Sequence, residues 1–136
     1  MDYLKVYCDG GSRGNPGPAG IGVVIISGCR EKKFKQYLGK RTNNQAEYEA
    51  VIFALNLIKK EFKATKKAAF YLDSELVVKQ INSEYKVKNE ELGRLLLKIK
   101  NFIIQNNLSV IFYHIRREKN YKADKLVNEA IDKRIL

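Results

Sequence analysis

The hydrophobic period of this chain is that of strands through Leu38 and first turns helical over 45–62, and this switch limits the folds open to it. Before it, Leu4, Val6 and Cys8 alternate with Tyr3, Lys5 and Tyr7, which is the period of a strand. Met1-Asp2 lead straight into this run. No basic segment precedes a long apolar one, so no signal peptide is expected. A Gly/Pro turn from Gly10 to Pro18 follows. Ile21 to Ile26 reads as a second strand ended by Ser27-Gly28, and Phe34 to Leu38 as a short third. After the switch, Tyr48, Val51, Ile52, Leu55, Ile58 and Phe62 fall at helical spacing and predict an amphipathic helix over 45–62. Ala68 to Leu72 is a fourth strand. Leu76, Val77, Gln80 and Ile81 mark a short helix, and Leu92 to Ile103 a longer one over about 90–105. Ser109 to Ile115 is a fifth strand. Ala123, Leu126, Val127, Ala130 and Ile131 give the apolar face of a last helix.

The order is βββαβααβα. Short connections make the first three strands an antiparallel meander, while strand–helix–strand connections require parallel neighbours and right-handed crossovers. The fold class expected is α/β. Its mixed five-stranded sheet has strands 1-2-3 antiparallel and strands 1-4-5 parallel, with helices on both faces. Residues 1–136 are expected to form one domain, long enough to bury a core without staples. Cys8 and Cys29 have no metal-ligand spacing and read as reduced thiols, which suits the cytoplasm.

Four acids occupy the junctions of this pattern. Asp9 ends the first strand and opens the turn Gly10-Gly11-Ser12-Arg13-Gly14-Asn15-Pro16-Gly17-Pro18. Glu47 follows Thr42-Asn43-Asn44-Gln45-Ala46 at a helix start. Asp73 ends the fourth strand before Ser74, and Asp124 closes Asn120-Tyr121-Lys122-Ala123 at the last helix. Open α/β sheets place their sites at strand ends. Acids converging there repel one another unless cations lie between them, and oxygen donors select hard divalent ions, Mg²⁺ above all. Each acid also has a local reading. Asp9 could simply end a strand. Glu47 could close a capping box begun at Asn44. Asp73 could cap the following helix, and Asp124 could favour a helix N-terminus. The glycine-rich turn is no phosphate-binding loop, because it lacks a Gly-Lys-Ser/Thr ending and has Pro16 and Pro18 where a helix would begin.

Taken together and in this order, the segments resemble type 1 ribonuclease H over nearly the whole chain. The matching elements are Asp9-Gly10-Gly11-Ser12 with Gly14 to Pro18, Thr42 to Glu47, Asp73-Ser74 and Asn120 to Asp124. The resemblance implies a ribonuclease H-like fold and a metal-dependent endoribonuclease. Such an enzyme hydrolyses the RNA strand of RNA–DNA hybrids, with 5′-phosphate and 3′-hydroxyl products. It implies Asp9, Glu47, Asp73 and Asp124 as catalytic metal ligands for two Mg²⁺ ions, with Mn²⁺ as a substitute. Two ions ~4 Å apart can activate a water and stabilise the leaving oxygen. Asp9 would bridge the two. Asp73 and Asp124 would hold the nucleophile-side and outer positions, and Glu47 the leaving-group side.

Telling RNA from DNA requires groups that sense the 2′-hydroxyl. The resemblance assigns Gly10, Gly11, Ser12, Asn15, Asn43, Asn44 and Gln45 to the minor groove of the hybrid, and Thr42 to a phosphate of the DNA strand. The same residues also suit a polar turn and a helix cap. Three features depart from the family. His114, the sole histidine, lies in or at the end of the fifth strand rather than in a glycine-flanked loop. The segment His114 to Asn120 is short, leaving Arg116, Arg117 or Glu118 to assist substrate binding or product release. Between the second and third helices stands only Ser83 to Asn89, without the extra helix and basic protrusion of well-known bacterial members. Glu75 adds an acid near the site.

The net charge of +11, from 26 Lys+Arg against 15 Asp+Glu, suits a polyanion binder. Basic residues spread through the chain, so nucleic acid bound across a folded surface fits better than a basic tail. The longest apolar runs are too short to span a bilayer, and no membrane partner is expected. A monomer binding RNA–DNA hybrid, with double-stranded RNA as a further partner, is the reading. The rival is a nonenzymatic binding module for RNA–DNA hybrid or double-stranded RNA on the same fold.

Overall fold

The computed structural model describes residues 3–134. Strands β1 (Tyr3–Ser12), β2 (Gly17–Ser27) and β3 (Arg30–Arg41) form the meander. They are followed by α1 (Asn43–Glu61), β4 (Lys67–Leu72), α2 (Glu75–Ile81), α3 (Glu90–Gln105) and β5 (Ser109–His114). A short 3-10 helix over Arg117–Asn120 then leads into α4 (Tyr121–Asp132). The sheet order is β3-β2-β1-β4-β5. The pairs β1–β2 and β2–β3 are antiparallel, whereas β1–β4 and β4–β5 are parallel. The mixed sheet expected from the period switch is therefore present, with β1 at its centre.

The alternation in β1 divides the molecule into two layers. Leu4, Val6 and Cys8 are buried under α1, where they join Tyr48, Val51, Leu55 and Phe70 in the main core. Each fully buried large side chain there contributes about 1.5–3 kcal/mol by leaving water. The one phenol in that core is satisfied, since Tyr48 OH donates to Gln80 Oε1 at 2.6 Å. On the other sheet face α4 lies across β1, β2 and β3 and leaves β4 and β5 uncovered. The N-terminus of α1 is fixed by a capping box. Thr42 Oγ1 accepts from Gln45 N, and Gln45 Oε1 accepts from Thr42 N.

Several boundaries differ from those expected. Asp9 does not end its strand. It pairs with Gly22, and the ladder continues to Ser12 opposite Ala19. The expected turn over 10–18 therefore shrinks to the few residues between Ser12 and Gly17. Glycines that read as breakers are here strand positions, because helices press on the backbone where a side chain would stand. The third strand runs from Arg30 to Arg41 rather than 34–38. It is an edge strand whose mostly exposed, Lys-rich sequence hides the alternation, yet β2 pairs with it from end to end. The fifth strand closes at His114, one residue early, although Ile115 N still donates to Leu72 O. The expected strand start at Met1–Asp2 lies outside the described residues.

Candidate active site

The site forms where the central pair of strands separates. Parallel pairing of β1 with β4 ends at Tyr7 and Tyr71, while β1 continues. Asp9 lies just past that fork on β1, and Asp73 just past the end of β4. Two close backbone approaches bring the other acids in. A Cβ on Gly10 would lie 2.1 Å from Ala46 O, so α1 rests directly on the β1 backbone and Glu47 follows at the contact. A Cβ on Gly22 would lie 2.3 Å from Ala123 O, so the first turn of α4 rests on β2 and Asp124 follows. Each helix presents an alanine to a glycine and then an acid to the fork. Asn120 fixes the approach to α4 by donating its Nδ2 to Cys8 O at 2.8 Å.

Carboxylate oxygens of Asp9, Glu47 and Asp73 all lie within 4.8 Å of one another. Asp9 and Glu47 are 7% and 3% exposed. Glu47 Oε1 accepts from Gly10 N at 2.6 Å. Asp124 is half-buried and lines the same cleft of about 440 Å³, but it stands outside that tight group of three. Its charge still reaches both Asp9 and Asp73.

Burial pushes Asp9 from its ordinary 3.8 up to about 8, with the Asp73 charge the next contribution. Burial also raises Glu47, reinforced by Asp9 and Asp73. The contact between the two carboxyls raises Glu47 further and opposes the rise of Asp9. Asp73 is raised by burial, and the Arg117 guanidinium opposes that rise. Three oxygen-donor side chains thus converge at a spacing that is costly when all are ionised. A divalent cation removes that cost, and hard carboxylate oxygens suit Mg²⁺ or Mn²⁺ rather than a thiophilic metal. The residues fit such an ion.

The polar residues expected to bind substrate divide into two groups. Gly10, Gly11, Ser12 and Asn43 line the acid cleft. Asn43 Oδ1 accepts from Ser12 N at 3.2 Å, and Asn15 Oδ1 accepts from Asn43 N at 2.9 Å, which ties the β1–β2 turn to α1. Ser12 Oγ is buried with no hydrogen-bond partner among the described residues. Thr42 and Gln45 line a neighbouring hollow with Lys40 and Arg41. Asn15 and Asn44 are not on the wall of the acid cleft.

The local readings of Asp9, Glu47 and Asp73 do not hold, whereas Asp124 does stand in the first turn of α4, where a carboxylate suits the helix N-terminus. The capping box belongs to Thr42 and Gln45, leaving Glu47 free to face β1. Ser74, not Asp73, caps α2, with Oγ accepting from Val77 N. Glu75 is exposed and pairs with Lys79 at 3.4 Å. His114 is exposed at the end of β5 and does not line the cleft. Arg13 and Asn128 are cleft residues that the sequence reading missed. Arg13 lies in the β1–β2 turn and reaches Asp132 and Asn128 of α4. Only the α4 periodicity that puts 124, 128 and 132 on one side could have pointed to that contact.

Comparison with known proteins places these features in a family. A family model described as reverse transcriptase-like matches residues 7–130. The chain is 38% identical over 132 residues to the bifunctional protein Rv2228c of Mycobacterium tuberculosis, covering 95% of this chain and 35% of that protein. The chain therefore spans only about a third of that relative's length. It is 36% identical over 153 residues to a ribonuclease H of Paracidovorax citrulli, covering 98% of this chain and 97% of that protein. The crystal structure of LC11-RNase H1 in complex with an RNA/DNA hybrid superposes with a TM-score of 0.90 at 44% identity. That match covers 98% of this chain and 99% of the other.

Proposed function

The chain belongs to the ribonuclease H family, and on that premise we propose that it is a metal-dependent endoribonuclease that hydrolyses the RNA strand of RNA–DNA hybrids, leaving 5′-phosphate and 3′-hydroxyl ends. The observation that carries this reading is the group of three carboxylates, Asp9, Glu47 and Asp73, gathered within 4.8 Å and held there by buried backbone contacts. A passive binding surface has no use for so repulsive a cluster.

In this reading Asp9, Glu47, Asp73 and Asp124 hold two Mg²⁺ ions, with Mn²⁺ as a substitute. The ions supply Lewis-acid activation of water and stabilisation of charge at the leaving oxygen. The remaining work falls to the chain. Main-chain groups of Gly10, Gly11 and Ser12 meet the ribose edge, where the Asn43 amide can donate or accept. Asn15 holds Asn43 in place, and Asn44 extends the polar edge. Thr42 and Gln45 line a hollow with Lys40, Arg41, Glu49 and Glu91; Arg41 pairs with Glu49 at 2.7 Å, which leaves the Thr42 hydroxyl and Lys40 to meet a phosphate of the DNA strand. Arg13 and Arg117 put positive charge on the wall of the acid cleft, where an RNA phosphate must enter. Residues 1–136 act as one unit and as a monomer. The free thiols Cys8 and Cys29 support a reducing compartment, the cytoplasm. Double-stranded RNA, which also presents a wide minor groove, is a secondary ligand.

The test is cleavage of an end-labelled RNA–DNA hybrid in Mg²⁺ by the wild type and by Asp9→Asn. RNA-strand cleavage lost in the variant is expected. Binding without cleavage by the wild type in either Mg²⁺ or Mn²⁺ would overturn the reading.

A further inference from the structure

Resting on the hybrid-cleaving reading, we propose that the open sheet face behind the acid cleft binds a single-stranded nucleic-acid tail leaving the hybrid. On this face α4 covers β1, β2 and β3 and leaves β4 and β5 bare. The bare region is an aromatic and basic surface. Tyr7, Tyr71 and Tyr113 stand side by side in register across β1, β4 and β5. The Tyr7 and Tyr71 rings stack at 4.8 Å, and the Tyr71 and Tyr113 rings at 5.6 Å. The ladder ends at the sheet edge, where Tyr113 is 45% exposed and no further strand covers its outer ring face. Beside it lies a hollow of about 300 Å³ whose lining includes Lys67 and Ile111.

Charge and continuity identify the occupant. Strand alternation puts Lys5 on the same face as Tyr7, and Lys67 on the same face as Tyr71. Behind the cleft, over residues 3–7, 67–71 and 109–113, these three strands carry no acid at all. Tyr7 stands two residues before Asp9 on the same strand and face, about 7 Å back, and Tyr71 stands two residues before Asp73, which lies just past the end of β4. On the α4 side of Tyr7, the exposed Lys119 and Tyr121 border a second hollow, whose Glu31 is paired with Lys122 at 2.8 Å. A strand leaving the cleft on this side meets cations and an open aromatic ring, the combination that holds single strands without sequence preference. A peptide strand added to the β5 edge is a poorer fit. Asn82 Nδ2 donates to Phe112 O at 3.2 Å and takes a carbonyl that such a strand would need.

The test is fluorescence anisotropy in EDTA, where no cleavage occurs. Blunt RNA–DNA hybrid is compared with the same hybrid carrying a single-stranded extension of about eight nucleotides, in an RNA arm and a DNA arm. Wild type is expected to bind at least one extended hybrid about tenfold more tightly than the blunt one. Tyr113→Ala and, independently, the exposed-site change Lys67→Glu should each remove most of that gain while leaving cleavage of blunt hybrid in Mg²⁺ unchanged. Equal affinity for blunt and extended hybrids in both arms, or a gain that survives both variants, would overturn the proposal. Failure of the wild type to cleave blunt hybrid would instead strike the catalytic reading and leave the binding comparison readable.

Discussion

Two sets of carboxylates in this molecule have opposite surroundings. On the surface, Glu31, Glu129 and Asp132 each have a cation close by: Lys122 at 2.8 Å, Lys35 at 3.1 Å and Arg13 at 2.5 Å. Hydrogen bonds from those cations lower all three acids. At the fork of β1 and β4, Asp9, Glu47 and Asp73 are gathered together, and burial raises all three. A chain with 26 Lys and Arg residues has no shortage of cations. Among the described residues none comes within ion-pair distance of those three acids. The surface acids are partnered for solubility and local order, whereas the buried acids are arranged for a partner that arrives from outside.

Substitutions can break this contrast or sharpen it. The largest effect is expected from Glu47→Gln. The amide oxygen can still accept from Gly10 N, so the fold should survive, but loss of the buried charge should lower the cleavage rate by about a thousandfold or more, measured at saturating hybrid. Gly10→Ala is next. Its Cβ would sit 2.1 Å from Ala46 O and must push α1 off the sheet. Denaturant unfolding should show a loss of about 3 kcal/mol, along with a drop in activity as Glu47 moves away from Asp9.

The pH dependence of the metal-free protein should follow from Asp9. Its folded value is raised, so its contribution favours the folded state fully below about pH 3.8 and is lost as pH rises to about 8. Thermal melts in EDTA should show this decline, and Asp9→Asn should flatten it. The smallest effect is expected from Glu129→Gln. It removes an exposed pairing with Lys35, so hybrid cleavage should be unchanged and the melting temperature nearly so.

Much of this contrast could be read from the residue pattern alone. The alternation of strand and helix periods sets the element order, and Glu47, Asp73 and Asp124 stand where that order turns. Other features depend on contacts between distant segments. Gly10 reads as part of a turn in sequence but is a strand position on which Ala46 lands, and Gly22, inside the second strand, is where Ala123 lands. The edge strand β3 hid its length behind exposed lysines. Arg117 entered the sequence reading as one of three adjacent choices, and only the short 3-10 helix aims it at Asp73. Asp124 is expected as a fourth metal ligand. It shares the cleft but stands outside the tight group of three.

The most direct test of the central claim is the melting temperature of wild type and Asp9→Asn at about pH 8, first in EDTA and then in excess Mg²⁺. Without metal the variant should melt higher, because a repulsive buried charge has been removed. With Mg²⁺ the wild type should rise by several degrees and overtake a variant that barely responds. A wild type that is the more stable protein in EDTA and does not respond to Mg²⁺ would contradict the account.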